Sequence, residues 1–148
     1  VLPESEAGQA SQDFAHVVID TEGGLADGDI TDLAHQSDLV ILPSPPSTLA
    51  LSAVLETADV LRKSGRAFRV LLTIVPPHPS TKAEAARDYL TGLGVPVLES
   101  QIRRSEAFED ASAQGVTVGN LKNIRARIAG MDYESATREM MAFAEAAR

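Results

Sequence analysis

The residues most able to do chemistry in this chain are His16-Val17-Val18-Ile19-Asp20-Thr21-Glu22-Gly23-Gly24. A short apolar run ends in a carboxylate, a hydroxyl and two glycines. That is the pattern of a buried strand delivering an acid to the rim of a sheet. An acid fixed there suits a hard cation, which takes oxygen ligands, and such acids often serve a nucleotide-bound Mg²⁺. The other reactive residue types are less organised. His16, His35 and His78 have no metal-ligand spacing. Ser44, Ser47 and Ser52 lack a Gly-x-Ser-x-Gly elbow. With no cysteine in the chain, thiolate catalysis, disulfides and cysteine-zinc sites are excluded.

The elements that must position Asp20 are read from periodicity. Residues 14–20 are expected to form a first buried strand, 38–43 a second, 68–75 a third and 95–102 a shorter fourth. Between them, 29–36 has helical spacing through Ile30, Leu33 and Ala34. A longer helix is expected after Ser47, an apt N-cap, with Leu51, Val54, Leu55, Ala58 and Leu61 inward and Gly65 as its stop. Thr81 and Glu84 have capping-box spacing before Ala86, Tyr89, Leu90 and Leu93, and Gly94 ends that helix. A short helix is expected over 105–113, with Gly115 as its stop. A further one holds Leu121, Ile124 and Ile128, and a last one starts near Asp132 with Ala136, Met140, Phe143 and Ala147 as its buried stripe.

Strands that are continuous apolar runs alternating with helices predict a parallel sheet covered on both faces, a three-layer α/β/α fold. Residues 1–13 are polar and read as a flexible segment; 14–148 read as one α/β domain. The 148 residues are 44% apolar but only 4% aromatic, so the core must rest on Val, Leu, Ile and Ala. No run is long enough for a membrane span and no signal peptide is visible, which gives the expectation of a cytoplasmic protein without stable membrane insertion.

The net charge of −8 hides an asymmetry. Residues 1–61 contain eleven acids and no Lys or Arg; residues 62–148 hold all thirteen basic residues against ten acids. An acidic chain is a poor nucleic-acid binder as a whole, but a basic face on its second half could bind phosphate backbones when two copies add their fields.

Taken in order, the strand ends resemble the ParA-type partition ATPases, relatives of MinD in the deviant P-loop class. Asp20-Thr21-Glu22-Gly23-Gly24 is similar to that family's Asp-Thr-Pro-(Pro/Gly)-Gly. Val40-Ile41-Leu42-Pro43-Ser44-Pro45 is similar to its next strand and Pro-containing turn. Leu71-Leu72-Thr73-Ile74-Val75-Pro76-Pro77 is similar to its Leu-Leu-Asn-Arg-Val-Pro-Pro strand. Ile102, Phe108, Ala111 and Gly115 fall at the spacing of its segment after the fourth strand. The resemblance covers about residues 14–148.

It implies a P-loop NTPase-like fold that binds ATP or ADP with Mg²⁺. Asp20 takes the place of the acid that holds Mg²⁺ through water. Thr21 and Gly23 shape the loop near the γ-phosphate. Thr73 falls where relatives carry an adenine-reading Asn, although one hydroxyl cannot present the paired donor and acceptor of an amide. Arg103 falls beside the base, where relatives often have Pro. Glu22 replaces the usual Pro and puts a second negative charge near the site. Arg103, Arg104, Lys122, Arg125 and Arg127 are the candidate contacts to non-specific DNA, though Arg127 points away from the face shared by Lys122 and Arg125.

The family's Lys-Gly-Gly-x-Gly-Lys-(Thr/Ser) loop is absent from this sequence, whose first basic residue is Arg62. In relatives the strand before that loop lies between those matching 14–20 and 38–43. The expectation is therefore an N-terminally incomplete fold in which the strand over 14–20 has lost its neighbour. By resemblance the complete protein is a homodimer bridged by ATP, nucleoid-associated in a bacterium, and stimulated by a ParB-like or other partner; this chain alone is expected not to hydrolyse ATP. The alternative is a degenerate, non-catalytic ParA-like interaction module. A flavodoxin-like or receiver-like domain is a third reading, disfavoured because Arg103 stands where a receiver needs Lys.

Overall fold

The computed structural model describes residues 14–76 and 81–147. Three strands, β1 (Val40–Ser44), β2 (Phe68–Val75) and β3 (Val97–Arg103), form one parallel sheet in the order β1-β2-β3. Helices α1 (Asp27–His35), α2 (Thr48–Ser64) and α3 (Thr81–Gly92) alternate with them; α4 (Glu106–Ala113), a 3-10 turn (Val118–Asn120) and α5 (Ile124–Ala146) follow.

The sheet is covered on both faces, as its apolar strands require. On one face Phe68, Val70 and Leu72 pack with Leu51, Val54, Ala58 and Leu61 of α2, Ala83, Ala86 and Leu90 of α3, and Ala34 of α1. On the other, Leu71, Leu98 and Ile102 pack with Ala136, Met140 and Phe143 of α5. Arg69 on that face lies over the Phe143 ring, 4.1 Å from its centroid, a cation–π contact. The three-layer α/β arrangement is thus the one expected. Gly65, at φ 70°, stops α2 in the left-handed conformation that glycine adopts without steric cost.

Four expectations are corrected. First, 14–20 is not a strand: it pairs with no described residue, and Val18 is 93% exposed. An apolar run becomes a buried parallel strand only beside a ladder partner, and none adjoins it among the described residues. Among the described residues the sheet has three strands rather than four. Second, Pro43 lies inside β1 instead of ending it. β1 is at the sheet edge, where a residue without an N–H is tolerated. Third, Ser47 is the N-cap of α2 by position, but its side chain makes no capping bond; Ser105 of α4 does, accepting from the Ala107 N–H at 3.2 Å. Fourth, the two helices expected after residue 121 are one helix of 23 residues. Asp132 sits inside it, its carboxylate turned to β3 rather than to the helix backbone. The expectations for residues 1–13 and for Pro77, His78 and Pro79 fall outside the described residues.

The β1–β2 pairing keeps one register throughout, whereas the β2–β3 pairing is irregular. Leu72 pairs with Gln101 and Val75 with Arg103, so β2 spends one extra residue there. Ile74 is in that bulge at φ 51°, and it is 59% exposed. The extra residue lets Val75 return to the face that Leu72 occupies. A β-branched residue in this conformation is strained by about 1–2 kcal/mol. Ile74→Gly removes that strain at an unfolded-state entropy cost of about 0.4–1 kcal/mol. The expected net is a stabilisation of up to about 1 kcal/mol, read as a higher urea midpoint at unchanged slope. A lower midpoint contradicts it.

The bulged part of β3 is clamped from two helices. Arg87 of α3 donates to the carbonyls of Leu98 and Glu99. Glu139 of α5 accepts from the N–H groups of Glu99 at 2.7 Å and Ser100 at 2.8 Å. These bonds satisfy backbone groups that an edge strand would otherwise leave open. Partial burial raises the Glu139 carboxyl, but the Ser100 and Glu99 N–H groups, with Arg87 nearby, outweigh it and hold it below its ordinary value. A depressed carboxyl stabilises the fold above its unfolded pKa, about 4.3 for Glu. That contribution is lost as pH falls through the lower folded value. Glu139→Gln is therefore expected to be less stable than the parent at neutral pH, with the gap closing in acid; equal stabilities across the range would refute it.

Candidate functional site

Parallel strands place their C-terminal ends on one rim, with neighbours about 4.8 Å apart, and ligands of open α/β sheets bind at that rim. Here it carries Ser44 from β1, Thr73 to Val75 from β2, and Arg103 from β3, with Arg104 just after it. The sheet thus brings Thr73, Arg103 and Arg104 together. The Arg104 N–H donates to the Val75 carbonyl at 2.8 Å, which keeps the ends of β2 and β3 joined. Ser44 is buried and its hydroxyl donates to the Pro45 carbonyl. Thr73 is half-buried and Arg104 exposed.

Arg103 is held inward. Its Nε lies 2.9 Å and its Nη2 2.5 Å from the Asp132 carboxylate, and its backbone N–H donates to the same group. The hydrogen bond to Asp132 raises the guanidinium pKa, against an opposing effect of burial; the Asp132 charge adds to the rise. The expected base-side residue is therefore engaged with α5. Asp132 was missed as an interacting residue, yet the sequence carried a signal. Ala126, Ala129, Asp132 and Ala136 form one buried helix face, so a lone acid stands in a row of alanines. Such an acid needs a cationic or N–H partner.

Asp20, Thr21 and Gly23 are not part of the sheet. All three are exposed, in the segment that leads through Gly24 (φ 79°) to α1. Among the described residues, the Asp20 carboxylate makes no hydrogen bond or ion pair, and no group of three or more His, Asp or Glu is placed to hold a metal.

Among the basic candidates, Arg125 and Arg127 do not share a face. Arg125 pairs with Glu106 at 2.5 Å, both exposed, a contact worth little in water. Lys122 precedes α5, and Arg127 is turned about 200° from Arg125 around that helix. No described helix is long and apolar enough to cross a membrane.

The fold and rim define an α/β protein whose three described strands match part of a P-loop NTPase-like sheet. No protein-family model matches the chain. It is 32% identical over 128 residues to maintenance of carboxysome distribution protein A from Gloeobacter kilaueensis, covering 86% of this chain and 59% of that protein. It is 30% identical over 117 residues to the protein of the same name from Halothiobacillus neapolitanus, covering 76% and 53%. These relatives are ParA-like ATPases, so the similarity supports the ParA/MinD-type resemblance carried by the strand ends. The chain spans a little over half the length of the relatives it matches.

Proposed function

We propose that this chain is the C-terminal part of the nucleotide-binding fold of a ParA-like ATPase that positions a large intracellular cargo. The similarity to two carboxysome-distribution proteins over most of the chain carries this reading. It favours a protein body over a plasmid or chromosome region as the cargo. In the complete protein, ATP lies along the rim where β2 and β3 end, beside Thr73. Asp20 is an exposed, unpaired carboxylate that suits a water-mediated contact to Mg²⁺, the remaining ligands being water and phosphate. Thr21 and Gly23 lie on the γ-phosphate side, and Arg103 reaches the base only if Asp132 releases it. ATP joins two copies, and the joined form binds DNA non-specifically through Arg104 and Lys122 until a ParB-like partner stimulates hydrolysis. This chain alone does not hydrolyse ATP.

The test is retention of the complete protein on non-specific DNA with and without ATP. Retention should require ATP and fall steeply with salt, because phosphate contacts release counterions. Retention that ignores ATP overturns the proposal. A second reading, a ParA-like interaction module without catalysis, is favoured by Thr73 in place of an amide and by the extra charge of Glu22. Calorimetry separates the two, since the module binds no ATP.

A further inference from the structure

The first half of α5 has two apolar faces. One, with Ala126 and Ala129, is buried. The other carries Ile124, Ile128 and Met131, which are 59, 40 and 57% exposed. With exposed Ser135 and Arg138 these residues repeat at spacings of 4, 3, 4 and 3, the seam of a two-stranded coiled coil. An apolar stripe at that spacing on an open helix face marks an interaction surface. Seven residues apart on one flank of the seam stand Arg127 and Glu134, both exposed. Neither side chain has an ion-pair partner among the described residues.

We infer that this face pairs with the same face of a second copy, antiparallel and about a twofold axis. The charges choose the partner and the direction. Antiparallel pairing that sets Ile128 against Met131 of the second copy brings Arg127 within one helical turn of that copy's Glu134. The twofold makes this ion pair twice. Parallel pairing would instead set the Arg127 and Glu134 flank against the partner's Asp132 and Glu139 flank, whose carboxylates are already bound to β3. A nucleic acid or an anionic membrane would be repelled by Glu134. The other flank carries Asp132 and Glu139, which are already bound to β3, so the charged pairs form only on the open flank. Three apolar side chains per copy make a small interface, and the association is weak, with a Kd above about 1 μM. It needs no nucleotide, so its failure and that of the ATPase reading are separable.

The test is sedimentation of the full chain over a concentration series without nucleotide. The parent should pass from monomer to dimer. Arg127→Glu should weaken the dimer about tenfold, two exposed ion pairs being worth about 1.4 kcal/mol. Adding Glu134→Arg to it should restore the dimer. These surface changes should leave thermal unfolding unaltered. Because the chain has no cysteine, Met131→Cys gives a single reactive thiol. A short bis-maleimide should link two copies through it, but not through Glu145→Cys, which antiparallel pairing holds roughly 45 Å from its counterpart. A monomer at every concentration, failure of the charge swap to restore association, or equal cross-linking at both positions overturns the inference.

Discussion

Arg103→Ala is expected to destabilise the chain by about 2–3 kcal/mol, and Asp132→Ala by less. The two partners are unequally placed. The Asp132 side chain is 10% exposed and that of Arg103 35%. Without Arg103, a nearly buried carboxylate keeps only the backbone N–H of residue 103 as a partner, and a buried charge without its counter-ion is costly. Without Asp132, the guanidinium can swing into water, and the main loss is the bond to the backbone N–H of the edge strand. A fully buried pair broken on one side costs about 3–5 kcal/mol; partial exposure lowers that here. Replacing both by leucine should recover much of the loss, because desolvation of the pair offsets most of its attraction. Urea unfolding of the parent, the two single alanine variants and the double alanine variant, without nucleotide, gives the coupling directly. A cost for Asp132→Ala larger than for Arg103→Ala would reverse the assignment of which partner depends on the other.

This ion pair also shows where the sequence stopped being legible. Helical spacing identified the inward faces of α2 and α3, because Leu51, Val54, Ala58, Leu61, Ala86 and Leu90 answer only to their own periodicity. The bounds of β2 followed from a run too apolar to face water. Asp132 looked like a helix start because an acid inside a helix usually competes for its backbone. What removes that competition is Arg103, 29 residues earlier in the chain and on another element. Periodicity within one segment cannot report such a partner. The same limit produced the strand expected at 14–20. Its composition is that of a strand, but a strand is a relation between segments, and no described segment pairs with it. The rim was legible in part: the sheet gathers Thr73, Arg103 and Arg104, whereas Asp20 stands outside it.

Asp20→Ala in the complete protein is expected to abolish ATP-dependent dimerisation and DNA retention while leaving the stability of this chain within about 0.5 kcal/mol of the parent. The two halves of this expectation have separate grounds. In the described structure the Asp20 carboxylate is exposed and has no partner, so nothing in the fold is lost with it. In the proposed function the same carboxylate fixes the water that holds Mg²⁺ against the phosphates. Alanine offers no oxygen, and the charge of bound ATP is then left uncompensated where two copies meet. Asp20→Asn keeps one oxygen without the charge and should fall between the two. Nucleotide-dependent sedimentation reads the first half and urea unfolding the second. A large loss of stability would make Asp20 structural. Sedimentation unchanged by ATP in the parent and variant alike would leave the interaction module as the better reading. An ATP response that survives the substitution would remove Asp20 from the metal site.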